Sequence, residues 1–248
     1  MRAATAGKNR LPARRGERKS HPGSLLRLAL CCLVVYPSII LNGCGLESVN
    51  YYSPPGFQYG GNIITLTHNS DNSDSSFLGY DIYYRAYYSL TEADSARNSI
   101  ESVSNSTTST PESVLSKMTS ELSFKKIFLA SAPTVTQTPL LKGGKTYYFY
   151  FPNATSTTDW YYVTSSDSAQ IQIVRATGDT TGQSFNDLYL VGDVDYGSTS
   201  NGVEPGKAVY IVAFAVAYGY DYSKLASIYS FPASLYEPIG GSNGYTLP

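Results

Sequence analysis

The chain has 248 residues, with 18 Lys and Arg against 19 Asp and Glu, enough for one sizeable core or two small ones. Its near-zero charge hides a division. Eight of the basic residues and only one acid, Glu17, fall in the first 43 positions, so the rest carries about −8. Such an acidic remainder argues against nucleic acid or an anionic lipid surface as its partner, because both need a basic footprint.

Residues 1–43 have the layout of a secretory leader. A basic stretch precedes Leu28-Ala29-Leu30 and Leu33-Val34-Val35, and the run closes at Leu41-Asn42-Gly43-Cys44. Positions 28–41 are too few to span a bilayer, which takes about 20 apolar residues, and Pro37 breaks them. The expectation is a cleaved lipoprotein signal with Cys44 as the lipidated first residue, joining the protein to a membrane through its N-terminal lipid. Cys31 and Cys32 are lost with the leader, leaving Cys44 alone, whereas exported domains that keep cysteines normally pair them. Each buried acyl methylene contributes about 0.8 kcal/mol, so several chains hold firmly. The expected location is a bacterial cell envelope, periplasmic or outer-surface.

Residues 44–61 contain Ser53-Pro54-Pro55-Gly56 and read as the lipidated cysteine plus a flexible spacer. A single β-domain is expected over 62–237. Its first strand is at 62–68, followed by a polar turn at 71–76. A clearer strand covers 79–88, with Tyr80, Ile82, Tyr84 and Ala86 on one face and Asp81, Tyr83, Arg85 and Tyr87 on the other. An insertion at 91–118 is helical and rich in Ser, Thr and Asn. Thr91 with Asp94 resembles a capping box, and Thr110-Pro111-Glu112 opens a second short helix. Further strands are expected at 123–129, 146–151, 160–164, 170–174 and 188–191. Residues 208–218, apolar on both faces, read as a central buried strand, and 225–231 return beside it. The tail 238–248, with Gly240-Gly241, is expected to fray. Short strands separated by turn signals point to an all-β sandwich or barrel.

Twenty-two of the 23 tyrosines follow Cys44, several as neighbours such as Tyr83-Tyr84, Tyr147-Tyr148 and Tyr161-Tyr162. In a strand such pairs put one ring on each face. One reading is ordinary packing with an amphipathic ring outside. The other is an aromatic surface for sugars or a protein partner, with Trp160, Tyr161 and Tyr148 as the ligand-binding candidates.

Catalytic chemistry is poorly supplied. His68 is the only histidine after the leader, so Ser-His-Asp, Cys-His and common zinc sites lack parts. Paired-carboxylate hydrolysis stays open among 18 acids. No other cofactor is implied, but two loops offer hard oxygen ligands for Ca2+. One is Asp71-Asn72-Ser73-Asp74. The other is Asp193 and Asp195 with Glu204 twelfth in the loop, although the fifth-position acid and sixth-position glycine of an EF-hand are missing.

Gly79-Tyr80-Asp81-Ile82-Tyr83-Tyr84-Arg85 resembles the third strand of fibronectin type III and related immunoglobulin-like domains. Positions 208–218, the Gly219-Tyr220-Asp221-Tyr222-Ser223 turn and Ile228-Tyr229-Ser230 resemble their last hairpin. The wider chain is similar to lipoproteins of treponemes and related spirochaetes in Cys44-Gly45-Leu46-Glu47, Tyr51-Tyr52, Pro54-Pro55, Phe77-Leu78-Gly79-Tyr80 and the tyrosine-rich final hairpin. These resemblances imply a mainly β fold, an antiparallel immunoglobulin/fibronectin-like β-sandwich with a short helical insertion, on a lipid-anchored envelope protein. The leading expectation is a non-enzymatic binding or structural module whose ligand is a protein or glycan. A carbohydrate- or solute-binding lipoprotein comes second and a carboxylate-dependent hydrolase third.

Overall fold

Residues 77–87, with one apolar and one mixed face, and 208–221, apolar on both faces over most of its length, form long neighbouring strands, and the rest of the molecule is assembled around them. The computed structural model describes residues 51–132, 139–151, 159–176 and 182–248. Along the chain these form β1 (Gly56–Gly60), β2 (Ile63–Thr67), β3 (Phe77–Tyr87), α1 (Leu90–Ser104), α2 (Pro111–Ser116), a π-helical turn (Lys117–Glu121), β4 (Lys125–Lys126), β5 (Phe128–Leu129) and β6 (Leu141–Lys142). Then come β7 (Tyr147–Tyr150), β8 (Tyr161–Thr164), β9 (Asp167–Val174), β10 (Ala208–Asp221), β11 (Ala226–Tyr229), β12 (Ala233–Ser234), a 3-10 turn (Gly241–Asn243) and β13 (Tyr245–Thr246).

The strands make two antiparallel sheets, a β-sandwich and not a closed barrel. One has the order β1-β2-β7-β8-β9-β5. The other has β11-β10-β3-β4, with β12 and β13 also on β10 and β6 on β3. Between the sheets lie Ile64, Leu66, Phe149 and Tyr162 from the first, and Tyr80, Ile82, Tyr84 and Ile211 from the second. Near Ile127 the chain passes from the second sheet to the first: β4 pairs with β3 and β5 with β9, while Ile127 N–H donates to the Ile82 carbonyl at 3.0 Å.

The helices cover the other face of the second sheet. Ala93, Ala96 and Ile100 of α1, with Val114 and Met118, pack on Tyr83, Tyr87, Val212, Phe214 and Val216. This is why 208–218 is apolar on both faces. It also buries both members of the Tyr83-Tyr84 pair, where alternation alone leaves one ring outside. Tyr147-Tyr148 and Tyr161-Tyr162 do split, one inward and one partly exposed.

Several sequence expectations need correction. The spacer read at 44–61 already contains β1, with Tyr52 and Phe57 buried, because three side chains between flanking glycines suffice to pair with β2. The tail does not fray: Ile239, Tyr245 and Leu247 are buried and β13 pairs with β10. Glycine supplies the bend. Gly240 sits at φ 90°, where any side chain would collide with the Gly244 backbone. The N-cap of α1 is Ser89, whose hydroxyl accepts from Glu92 N–H at 3.3 Å, and not Thr91. At α2 the Thr110 cap and Pro111 are where the sequence puts them. Residues 188–191 form no strand, only an isolated bridge between Tyr189 and Val203.

Candidate functional site

A buried cluster of ionisable groups forms where β9 runs out at Val174. The next side chain, Arg175, is fully buried, and its guanidinium makes a two-point contact with Asp195: Nε to Oδ2 and Nη2 to Oδ1, both 2.9 Å. Nη2 also reaches Asp193 at 2.9 Å, and Nη1 donates to the Leu188 carbonyl at 2.8 Å. The Tyr189 ring lies 3.6 Å from the guanidinium carbon. Tyr84, from the middle of β3, donates its hydroxyl to Asp195 at 2.5 Å and accepts from Ala176 N–H at 2.7 Å.

Burial alone would discourage charge on Arg175, but Tyr189 and Asp195 outweigh it and hold the guanidinium more firmly protonated than in water. Burial, then the Asp195 charge, push the Tyr84 phenol well above its ordinary value, so it remains a donor. Every strong group has a partner and Arg175 and Asp195 are closed to solvent. The cluster acts as a clamp holding the segment around 184–196 against the sandwich. Asp193 and Asp195, two of the carboxylates considered for calcium, are thus counter-ions of Arg175, and Glu204 is exposed. Among the described residues no group of three His, Cys, Asp or Glu is placed to hold a metal ion.

Two open clefts flank α1. One, of about 540 Å³, is lined by Tyr59, Arg97, Glu101 and Glu237 among others. Arg97 is committed there to Asp94 at 3.0 Å, to Glu101 at 3.9 Å, and to the Tyr236 carbonyl. The second, of about 510 Å³, contains Arg85, Glu92 and Glu121. Arg85 makes one hydrogen bond, to the Tyr196 carbonyl at 3.3 Å.

The aromatic surface lies elsewhere, on the outer face of the first sheet. Register places Ile63, Tyr150, Tyr161 and Gln172 in one row across β2, β7, β8 and β9, with Thr65, Tyr148 and Val163 in the row beside it. Their inward neighbours Tyr147, Phe149 and Tyr162 are buried, so these side chains face out and remain partly exposed. Tyr150 and Tyr161 stack at 5.1 Å and 15°. Neither row contains a charged side chain.

Of the ligand-binding candidates, Tyr148 and Tyr161 therefore share this face. Trp160 does not. It is fully buried, parallel to Phe185 at 4.2 Å and edge-on to Phe151 and Tyr245. Its position just before β8 turns it inward. Sequence reasoning missed Tyr150, although the alternation in Tyr147-Tyr148-Phe149-Tyr150 carries the signal. It also missed Arg175, for which no local signal exists. Cys44 lies outside the described residues.

Comparison with known proteins returned no match to any family model, curated protein or solved structure. The resemblances to fibronectin type III domains and spirochaetal lipoproteins therefore rest on the quoted residues alone.

Proposed function

We propose that the chain is a lipid-anchored protein of a bacterial cell envelope that works by binding and not by catalysis, and that the outer face of the six-stranded sheet is its binding surface. The observation that carries the reading is the uncharged aromatic row, in which Tyr150 and Tyr161 present a stacked pair between Ile63 and Gln172. The negative face of an aromatic ring attracts the weakly positive C–H face of a pyranose, and adjacent amide and hydroxyl groups can bond the sugar's own hydroxyls. Lack of charge favours a neutral polysaccharide with flat, β-linked rings over an acidic one.

A hydrolase is the weaker reading. Glu101 and Glu237 do share a cleft, but Arg97 in the same cleft engages Glu101 at 3.9 Å, so that carboxylate already has a partner.

The test is co-sedimentation of the chain from Cys44 onward with insoluble chitin and β-glucan. Two lost stacking contacts of about 0.5–1.5 kcal/mol each predict a loss on the order of tenfold for Tyr150→Ala/Tyr161→Ala. Tyr222→Ala, which removes a ring 68% exposed in the β10–β11 turn of the other sheet, should bind like the parent. Absence of binding, or equal loss in both variants, contradicts the reading.

A further inference from the structure

The second cleft beside α1 holds a cation that the fold leaves underused. Arg85 lies on the helix-covered side of β3, in line with Tyr83 and Tyr87. A guanidinium carries five N–H donors. Among the described residues Arg85 uses one of them, on the Tyr196 carbonyl, and its Nε is closed to water without an acceptor. Arg97 and Arg175 are ion-paired, whereas no described carboxylate pairs with Arg85. Lys126, on the same side of the sheet, is committed to Asp81 at 2.7 Å.

The surroundings of Arg85 are built from three segments. Residues 195–197 lie along the end of β3: Ala86 N–H donates to the Asp195 carbonyl at 3.0 Å, and Gly197 N–H to the Ala86 carbonyl at 2.7 Å. Position 197 has no room for a side chain, because a Cβ there would fall 2.2 Å from the Tyr87 ring and 2.9 Å from Arg85 Nε. Glu92, in the first turn of α1, accepts from the Ser198 hydroxyl, which itself accepts from Tyr88 N–H at 2.8 Å. Burial raises the Tyr87 phenol to about 12, with Arg85 lowering it and Glu92 raising it, so the two opposite charges act on one ring. Glu121, at the end of the π-helical turn, is exposed and lines the same cleft. Thr91, Ser95 and Ser99, one turn apart on α1, add a row of hydroxyls.

We infer that this cleft is a second binding site, for a dibasic α-amino acid. The ligand's carboxylate pairs with Arg85, its α-ammonium group with Glu92, and the ammonium at the end of its side chain with Glu121. A guanidinium matches a carboxylate through parallel N–H donors, which makes Arg85 the anchor. The volume of about 510 Å³ falls within the range of about 300–1,000 Å³ of small-molecule sites. Simpler ligands meet a repulsion: an inorganic anion faces two carboxylates, and a plain diamine faces the guanidinium. The site rests neither on the lipid anchor nor on the Tyr150–Tyr161 face.

The experiment titrates L-lysine into the isotope-labelled chain from Cys44 onward, which contains every described residue, and follows the amide shifts by NMR. Expected are saturable binding in the millimolar range and shifts centred on the amides of Glu92, Gly197 and Ser198. Cadaverine, which lacks the carboxylate, and acetate, which lacks the ammonium groups, should each bind at least about tenfold more weakly. Arg85→Met should lose affinity for L-lysine by about the same factor, with the rest of its spectrum unchanged. Glu121→Gln, at an exposed position, keeps the fold and should weaken L-lysine several-fold. Tyr150→Ala/Tyr161→Ala should bind L-lysine like the parent, which separates this site from the sheet face. Cadaverine binding as tightly as L-lysine, full affinity in Arg85→Met or Glu121→Gln, shifts centred elsewhere, or no saturation would overturn the inference.

Discussion

Arg175→Met is expected to destabilise the domain by about 3–5 kcal/mol, because it leaves Asp195 as a buried carboxylate without its cation. Asp195 would keep only the Tyr84 hydroxyl, and the Leu188 carbonyl and Asp193 would lose a donor each. Arg175→Lys keeps the charge but not the two-point geometry, and falls between. The informative partner is Arg175→Met/Asp195→Leu. Removing both charges from a dry site replaces an ion pair with apolar contact, which is often neutral, so the double variant should recover most of the loss. Urea unfolding of the chain from Cys44 onward reads these values as shifts in midpoint at constant slope. A loss below about 1 kcal/mol for Arg175→Met would place the pair among exposed bridges, against the burial described.

Trp160→Ala is the second large effect, about 3–5 kcal/mol from lost transfer energy and the cavity left behind. The indole joins three parts of the chain: Phe151 after β7, Phe185 after β9, and Tyr245 of β13. The melting temperature should fall on the order of 10 °C. Trp160→Phe should retain most of that stability, and with it any glycan binding. Loss of binding in a stable Trp160→Phe variant would return the indole to the binding surface and contradict its buried role.

Much of the sandwich could be read directly because β3 announces itself by alternating faces, and because β10, apolar on both faces, must lie between two packed layers. The helical insertion was legible from Thr110-Pro111. Strand β1 was not, since Pro54-Pro55-Gly56 and Gly60-Gly61 bracket only Phe57, Gln58 and Tyr59, too few to show a period. The tail was misread for a similar reason: its glycines signalled looseness, while their work is to bend the chain so that Tyr245 and Leu247 reach the core. Asp193 and Asp195 matched a calcium spacing, but their partner is a guanidinium 18 and 20 positions earlier, and no local pattern specifies such a pairing. The aromatic face lay between these cases. Alternation put one ring of each tyrosine pair on each face without saying which faces out, and only the β7–β8 register joins Tyr150 to Tyr161.

The most direct measurement is detergent phase partitioning of the protein expressed in a bacterial host, with the mass of its N-terminal peptide. A lipid-anchored binder requires the detergent phase, an N-terminus at Cys44 carrying acyl mass, and a Cys44→Ser variant released to the aqueous phase. An aqueous parent chain, or an N-terminal peptide that begins upstream of Cys44 without lipid, would contradict the anchor.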